Sequence, residues 1–293
     1  MSQLPLVLIT DLIVEPLDCE RAVLDGHAEV RALNARSQTD LDERLEAADA
    51  VMIYHYLRLD REAIGRLRKC KLIARPGVGY DNIDIRAARE RGIPVVNVPD
   101  YGTEEVADSA LGMAVSLARG THFLNSRLRR GIGAWNVDQA TPIHRLRGRV
   151  FGIVGCGRIG SAAALRAKAF GFDVVFFDPF VPDGLDKALG VRRADTLDEL
   201  LAQSHIVSAH CPLTPQTRGL LGAREIARMP RGSFLVNTAR GGVVDTAAVV
   251  EALASGHLAG AGIDVLRPSR PPPIRPCCAR GATRTTRRTT GYC

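Results

Sequence analysis

Short apolar runs alternate along the chain with segments whose apolar residues recur at helical spacing. The runs predict buried strands at residues 4–10, 50–54, 71–75, 94–98, 150–154, 173–177, 205–210, 233–237 and 260–264, with a further apolar piece at 28–33. The segments between them predict helices at residues 60–70, 84–91, 103–120, 158–170 and 245–255, and shorter helices opened by Thr39-x-x-Asp42 and Thr196-x-x-Glu199. Strands alternating with helices favour parallel β-α-β units, so we expect an α/β protein built on parallel sheets.

The order of the elements predicts two domains, each with its own core. We expect a flavodoxin-like domain at residues 1–100 and a Rossmann domain at residues 101–266, because each range repeats the strand–helix alternation. The predicted helix 103–120 is rich in small residues, which suits close packing between domains or between subunits.

Residues 267–293 break this alternation. They contain seven arginines, three consecutive prolines and no lysine or acidic residue, and they show no hydrophobic period. Such a segment cannot bury enough apolar surface to order itself, so we expect a disordered basic Pro/Arg/Thr-rich tail. Because the change at about Leu266 is abrupt, translation out of frame is a second explanation for this tail.

The charge balance changes the interpretation of the net charge of +7. Removing the seven arginines of the tail from the 39 basic residues leaves 32, which equals the number of acidic residues. The body is therefore neutral, and we expect no nucleic-acid binding from it.

Cysteine use and hydropathy indicate the compartment. Cys19, Cys70, Cys156 and Cys211 are scattered through the body without metal-ligand spacing, which favours a reduced compartment and no metal site. The N-terminus has neither a basic region nor a long apolar run, and no stretch approaches the length of a membrane span. We expect a cytoplasmic protein with no membrane partner.

A glycine-rich turn follows the predicted strand 150–154. Gly155-x-Gly157-x-x-Gly160 leads into the helix, and Asp178 ends the next strand. In this context the motif predicts a dinucleotide site, with the pyrophosphate at the helix N-terminus. Asp178 can accept hydrogen bonds from ribose hydroxyls and would repel a 2′-phosphate, so the expected cofactor is NAD rather than NADP.

Two loops of the first domain follow predicted strands. One loop contains His55, and the other runs Arg75-Pro-Gly-Val-Gly-Tyr80. Ligands of open α/β sheets bind beyond the carboxyl ends of the strands, where the glycine loop could present N–H groups to a carboxylate. Taken alone, the loop is better explained as a plain turn with a solvated arginine, and His55 as an ordinary surface or packed histidine.

Further motifs occur in order along residues 5–266. They are Arg75-Pro-Gly-Val-Gly-Tyr-Asp-Asn-Ile-Asp84, Thr103-Glu-Glu-Val-Ala-Asp-Ser109, Gly155-Cys-Gly-Arg-Ile-Gly160, Leu165-Arg-Ala-Lys-Ala-Phe-Gly-Phe172, His210-Cys-Pro-Leu-Thr214, Val236-Asn-Thr-Ala-Arg-Gly-Gly242 and Gly262-Ile-Asp-Val265. With them the chain resembles the D-isomer-specific 2-hydroxyacid dehydrogenases, and within that family the C-terminal-binding-protein branch.

The resemblance implies NAD-dependent hydride transfer between nicotinamide and a small 2-hydroxy or 2-keto acid, and a homodimer. It makes the first domain the substrate (catalytic) domain and the second the NAD-binding domain. Arg240 matches the catalytic arginine, and the implied substrate-binding residues are His55, Arg75, Val78 and Gly79. The implied cofactor-binding residues are Thr103, Gly155, Gly157, Arg158, Ile159, Gly160, Asp178, His210, Cys211, Pro212, Thr217, Thr238, Ala239 and Asp264.

One departure from the family pattern leaves the activity open. Ser269 stands where the resemblance places a catalytic glutamate, and no histidine follows His257 to match the catalytic histidine. His210 and His55 are alternative proton-transfer groups, but nothing in the sequence supplies His210 with a carboxylate partner. The chain is therefore either a dehydrogenase, inactive in this form if no other group replaces them, or a corepressor-like protein that binds NAD(H) without turnover. A nucleic-acid-binding protein, argued only from the tail, is disfavoured by the neutral body.

Overall fold

The computed structural model describes residues 4–41, 43–140 and 142–266. The chain divides into two compact units, Met1–Tyr101 and Gly102–Cys293. The basic tail, for which disorder or a change of frame was predicted, lies outside the described residues, as do Asp42 and Ser269.

The first unit is built on a five-stranded sheet. Its strands are β1 (Leu6–Ile9), β2 (Glu29–Ala32), β3 (Ala50–Met52), β4 (Leu72–Arg75) and β5 (Val95–Asn97), and its helices are α1 (Asp18–Leu24), α2 (Arg61–Arg66) and α3 (Ile85–Glu90). All strand pairs are parallel, and the order is β2-β1-β3-β4-β5. This is the strand order of flavodoxin-like folds, in which the chain reverses its direction of growth between β1 and β3.

Apolar side chains cover both faces of this sheet. Leu8 and Val51 pack with α2 and α3 on one face, whereas Val7 and Ile9 pack with Leu17 on the other. Successive strand side chains point to opposite faces, which explains why the strands are apolar without interruption. Asp60 and Asp84 cap α2 and α3 by accepting hydrogen bonds from backbone N–H groups in the first turn.

The second unit is built on a six-stranded parallel sheet in the order β11-β10-β9-β6-β7-β8. Its strands are β6 (Val150–Val154), β7 (Asp173–Phe177), β8 (Arg192–Arg193), β9 (Ile206–Ala209), β10 (Ser233–Asn237) and β11 (Leu258–Ile263). Its helices are α4 (Thr103–Arg119), α5 (Thr121–Arg129), α6 (Arg158–Ala169), α7 (Leu185–Leu189), α8 (Leu197–Gln203), α9 (Ala223–Arg228) and α10 (Thr246–Ala254). This is the Rossmann strand order, with its switch point between β6 and β9. The predicted α/β fold with parallel sheets is confirmed.

The long helix α4 packs within the second unit. Adding a Cβ at Gly262 would bring it to 3.0 Å from Cβ of Met113, and a Cβ at Gly260 would lie 3.0 Å from Leu117. These glycines let α4 lie directly on β11. The later strand residue, Gly262, meets the earlier helix residue, Met113, so α4 runs antiparallel to β11. The helix therefore begins near the edge of the sheet at which β11 ends.

Several local predictions were wrong. Instead of a helix opened by Thr39, the chain forms two 3-10 helices, Gln38–Asp40 and Glu43–Ala47, and Ser37 makes the capping box with Asp40. The helix predicted to reach Cys70 ends at Arg66. The pattern also missed α1, α5, α7, α9 and the two-residue strand β8, all of which are short. Short elements have little periodicity of their own, and packing against neighbours determines them. In the described part of the chain, no helix is long and apolar enough to cross a membrane.

Candidate functional site

Two glycines of the turn after β6 occupy positions at which a side chain would collide with the protein backbone. Gly155 adopts a φ of 91°, and a Cβ there would lie 2.8 Å from the backbone nitrogen of Cys211. A Cβ on Gly160 would overlap the carbonyl oxygen of Gly155. Both positions therefore exclude any larger residue for reasons internal to the protein.

Gly157 has a different reason to be glycine. It is exposed, its backbone is extended, and a Cβ there would meet no protein atom within 4 Å. It immediately precedes α6, where Arg158 is also exposed. The free N–H groups of the first turn and the helix dipole favour an anion in this open space. The cradle suits a pyrophosphate that approaches the backbone at Gly157.

Asp178 is tied to this turn. Its Oδ2 accepts a hydrogen bond from the N–H of Cys156 at 2.8 Å, and its Oδ1 accepts one from the N–H of Phe180 at 2.8 Å. The two bonds fix the carboxylate at the end of β7, beside the glycine turn. An acceptor held there is placed to bind the hydroxyls of a ribose.

The residues after β9 lie across the switch point from the glycine turn. The N–H of His210 donates to the carbonyl of Val154 at 2.8 Å, and Cys211 packs against Gly155. Burial raises the pKa of Cys211 to about 11, so its thiol is uncharged at neutral pH. Thr217 closes the following loop by donating its hydroxyl to the carbonyl of Pro212.

Burial lowers the pKa of His210 to about 4, so the ring is neutral under ordinary conditions. Its Nε2 lies 2.9 Å from the hydroxyl of Ser208, and its buried Nδ1 has no partner among the described residues. This arrangement fits a packed ring better than a proton donor, because no described carboxylate contacts it.

The turn after β10 presents Arg240. Asn237 organises it: its amide donates to the carbonyl of Arg240 at 3.0 Å, and its Oδ1 accepts from the N–H of Ala239 at 3.0 Å. The carbonyl of Asn237 also accepts from the N–H of Asp264, which follows β11. Arg240 is half-buried, and its guanidinium donates to the carbonyl of Ala239 at 2.8 Å.

The cofactor-binding residues and the catalytic arginine predicted in the second unit thus gather at one edge of its sheet. Asp178, Gly155, Cys211, Arg240 and Asp264 follow β7, β6, β9, β10 and β11, and parallel strands end at the same edge of their sheet. Ile159 lies in the first turn of α6 and Thr103 begins α4. The hydroxyls of Thr103 and Thr238 are buried and have no partner among the described residues. Unsatisfied buried hydroxyls are costly, so these two fit a site whose polar ligand supplies the missing bonds.

The first unit holds its own cluster of the predicted substrate residues. Arg75 is 4% exposed, and its Nη2 lies 3.1 Å from Nδ1 of His55, which is itself exposed. A Cβ on Gly77 would overlap the Arg75 guanidinium, so a larger residue at this position would displace the arginine side chain that folds back over its own loop.

Val78 and Gly79 form the rest of this loop. The carbonyl of Val78 accepts a hydrogen bond from the amide of Asn97 at 2.8 Å. The N–H groups of Val78 and Gly79 donate to no described backbone or side-chain acceptor. Those N–H groups could therefore donate to an anionic ligand, and their predicted role in substrate binding stays a prediction.

Sequence reasoning missed the residue that organises the His55 loop. Asp11 is fully buried, and its two oxygens accept hydrogen bonds from the N–H groups of Tyr54, His55 and Tyr56 at 2.9, 2.8 and 2.6 Å. A signal was present, since an aspartate directly after a buried apolar strand is expensive unless its carboxylate is fully bonded. Among the described residues, no cluster of His, Cys, Asp and Glu could hold a metal ion.

Fold and site together define a dinucleotide-binding α/β protein, and comparison with known proteins identifies its family. Residues 111–285 match the NAD-binding domain of the D-isomer specific 2-hydroxyacid dehydrogenases. The chain belongs to this family, and the sequence-based prediction of NAD as the cofactor of the domain is confirmed.

The relatives extend the likeness over the first unit. C-terminal-binding protein 1 of Caenorhabditis elegans is 39% identical over 90% of this chain and 37% of that protein. D-3-phosphoglycerate dehydrogenase of Methanocaldococcus jannaschii is 35% identical over 89% of this chain and 49% of that enzyme. The chain thus spans less than half the length of these two curated relatives. The first relative agrees with the predicted C-terminal-binding-protein branch.

A solved structure shows the same architecture with ligands present. The D-lactate dehydrogenase of Aquifex aeolicus, solved with NAD and lactic acid, superimposes with a TM-score of 0.81 and 30% identity. The match covers 89% of this chain and 77% of that one.

Proposed function

We propose that this protein is an NAD-dependent oxidoreductase that transfers hydride between nicotinamide and C2 of a small 2-hydroxy or 2-keto acid. The observation that carries the proposal is the Asn237-organised turn, which holds Arg240 at the edge of the sheet where the glycine turn and Asp178 also lie. A cation beside a dinucleotide cradle is what an α-keto acid needs to be anchored for hydride transfer.

Each unit contributes distinct roles to this proposal. In the second unit, Arg240 binds the substrate carboxylate and polarises its keto oxygen, and the residues at the strand ends bind the cofactor. In the first unit, the N–H groups of Val78 and Gly79 bind substrate oxygens. Arg75 provides positive charge, and its side chain together with that of His55 shapes the loop region. Bound NAD supplies the hydride acceptor at C4 of its nicotinamide ring.

The proposed reaction needs a proton-transfer group, and the sequence lacks the two that the family resemblance implies. Ser269 occupies the position at which the family resemblance places a glutamate, and no histidine follows His257 in this sequence. Loss of a general acid–base group typically costs about 10²–10⁴ in rate. A second candidate function follows from the same observation: an NAD(H)-responsive binding protein without turnover, which fits the 39% identity to a C-terminal-binding protein.

One experiment separates the two functions. NADH binding to the full chain is measured by fluorescence, and NADH oxidation is then followed with a panel of pyruvate, glyoxylate, hydroxypyruvate and phenylpyruvate. Turnover of any member supports the oxidoreductase. NADH binding with keto-acid binding but no turnover supports the binding protein, and absence of NADH binding overturns both.

We further propose a homodimer in the cytoplasm. All four described cysteines are free, in keeping with a reducing compartment. The segment after α5 carries the exposed Trp135, at 86%, and Ile132, at 45%, which supports burial of this segment against a second copy. Sedimentation velocity of the wild type and of Trp135→Ser tests the dimer, and a wild-type monomer at micromolar concentration contradicts it.

A further inference from the structure

The two-residue strand β8 brings an arginine to the end of β7. The two strands pair in parallel, and Arg193 stands opposite Phe176. The guanidinium carbon of Arg193 lies 5.9 Å from the centroid of the Phe176 ring, which is fully buried. An arginine held over an aromatic ring has few conformations left, so its donor groups point in a fixed direction.

The guanidinium of Arg193 binds both ends of the loop that follows β7. Its Nη2 donates to the carbonyl of Asp178 at 3.0 Å, and its Nη1 donates to Oδ1 of Asp183 at 3.1 Å. The side chain of Asp183 is fully exposed, and an ion pair with so exposed a carboxylate contributes little. The partly buried bond to the carbonyl of Asp178 is therefore the one that holds the loop.

This loop, residues 178–183, has few other attachments. Its two prolines have no N–H and cannot donate a backbone hydrogen bond. The N–H of Phe180 bonds back to the carboxylate of the loop's own first residue, and Val181 packs against the core. In the described part of the chain, the hydrogen bonds that join the loop to residues distant in sequence are those of Cys156 and Arg193. Loss of Arg193 would thus leave one such attachment.

The first residue of the loop carries the expected cofactor contact. Asp178 and Arg193 line the same groove, and the carboxylate of Asp178 is the acceptor proposed for the ribose of the dinucleotide. The bond from Arg193 fixes the carbonyl of Asp178 and with it the peptide unit that follows. If that peptide unit turned, the carboxylate would turn with it, and its remaining lone pairs would no longer face the ribose. A fixed acceptor binds a hydroxyl more tightly, because less freedom is lost on binding.

We propose that Arg193 is a positioning residue for the cofactor: it holds the carboxylate of Asp178 in the direction that accepts a hydrogen bond from the 2′-hydroxyl of the adenosine ribose. Arg193 itself binds no part of the dinucleotide. The inference rests on the proposed cofactor role of Asp178 and requires no turnover. An arginine that only stabilised the unit would affect all dinucleotides alike, whereas a positioning residue affects those that carry the hydroxyl.

The test compares NADH with 2′-deoxy-NADH, which lacks this hydroxyl on its adenosine ribose. Fluorescence titration of the full chain gives both dissociation constants, and their ratio is taken within one variant, so a general weakening of binding cancels. The wild type should bind 2′-deoxy-NADH at least about tenfold more weakly than NADH, because a charge-assisted hydrogen bond is lost. In Arg193→Met, which keeps an apolar stem over Phe176, the ratio should fall to about threefold or less.

Arg192→Met is the matched control. Arg192 is the other residue of β8, and it binds Gln203 and, at 2.9 Å, the carboxylate of Asp173 at the start of β7. Its replacement removes the same charge from the same strand and leaves the loop contacts in place, so the ratio should stay at the wild-type value. Arg193→Gln, whose side chain is too short to reach the carbonyl, should lower the ratio as Arg193→Met does and replaces that variant if it does not fold.

Three results would overturn the proposal. Weaker binding of both dinucleotides at an unchanged ratio in Arg193→Met would make the arginine merely structural. An equal fall of the ratio in Arg192→Met would indicate only the general charge of β8. A wild type that binds NADH and 2′-deoxy-NADH equally would show that Asp178 does not bind the hydroxyl, so that Arg193 has nothing to position. Absence of any NADH binding is a different result, because it refutes the proposed function itself.

Discussion

The carboxylate of Asp178 and the backbone of Cys156 are joined by a hydrogen bond of 2.8 Å between Oδ2 and N. The bond connects the end of β7 to the glycine turn that follows β6. It therefore holds the acid at a fixed place relative to the helix N-terminus. We therefore expect selectivity for the dinucleotide to depend on the same contact that shapes the turn.

Replacing Asp178 with Asn should relax the preference for NAD(H). The charge that repels a 2′-phosphate is removed, while the side-chain oxygen can still accept from Cys156. Two charges about 4 Å apart near a surface interact by about 1–4 kcal/mol, so the ratio of NADPH to NADH dissociation constants should fall at least about tenfold. Fluorescence titration measures both constants. Asp183→Asn, on a fully exposed side chain in the following loop, is the control and should leave the ratio unchanged.

Two glycine variants separate ligand contact from protein packing. Gly157→Ala introduces a Cβ that meets no protein atom within 4 Å, so the unfolding midpoint should stay near that of the wild type. NADH affinity should fall at least about tenfold, because the new methyl occupies the approach of the pyrophosphate.

Gly160→Ala should behave in the opposite way. Its Cβ would overlap the carbonyl of Gly155, so α6 must move, and overpacking of this kind costs about 1–3 kcal/mol. Urea unfolding measures the loss. Equal stability of the two variants would contradict the structure of the turn, and wild-type NADH affinity in Gly157→Ala would remove the cradle assignment.

Arg240→Gln tests the anchor of the substrate. A single charge directed at one carboxylate contributes about 1.5–3 kcal/mol, so keto-acid affinity should fall roughly 10- to 150-fold while NADH affinity changes little. Calorimetry with pyruvate in the presence of NADH measures the change. Arg218→Gln, exposed in the loop after β9, should have no effect. Unchanged pyruvate affinity in Arg240→Gln would show that another group anchors the carboxylate.

Asp11→Asn tests the organisation of the first unit. One carboxylate oxygen of Asp11 accepts hydrogen bonds from the N–H groups of both His55 and Tyr56. In asparagine an NH2 group replaces one of the two oxygens, and an NH2 group placed there could not accept these bonds. Each unsatisfied buried group costs about 1–3 kcal/mol, so a loss of about 3 kcal/mol is expected in urea unfolding. Asp25→Asn, on the exposed surface of the same unit, should be nearly neutral. If Asp11→Asn is equally neutral, the buried carboxylate does not hold the loop.

His210 should contribute a pH dependence to stability. Burial lowers its pKa in the folded protein to about 4, whereas an unfolded histidine titrates near its ordinary value of 6.5. The unfolded state therefore binds more protons between these values, and stability falls as pH decreases from 6.5 to 4. A difference of this size corresponds to about 3 kcal/mol.

The check compares urea unfolding at pH 7 and pH 4.5. The difference between the two pH values should shrink in His210→Gln and stay as in the wild type in His27→Gln, which alters an exposed ring. An unchanged difference in His210→Gln would show that the ring is not buried in its neutral form.

The sequence by itself determined the parallel architecture and predicted the core of the nucleotide site. Both follow from local information. The period of apolar residues gives the strands and helices, and one strand–helix–strand unit contains the spacing of Gly155, Gly157, Gly160 and Asp178. The strands β6, β7 and β10 have the predicted bounds, because each is a continuous apolar run between turn residues.

Only the tertiary structure decided which distant residues meet. That Cys211 closes over Gly155, that Asp11 binds the 54–56 backbone, and that Arg149 faces His205 depend on which strands become neighbours and in what register. Side-chain direction, loop closure and burial are collective properties of the packed sheets. No single segment contains them, so contacts between residues far apart in sequence could be seen only once the strand order was known.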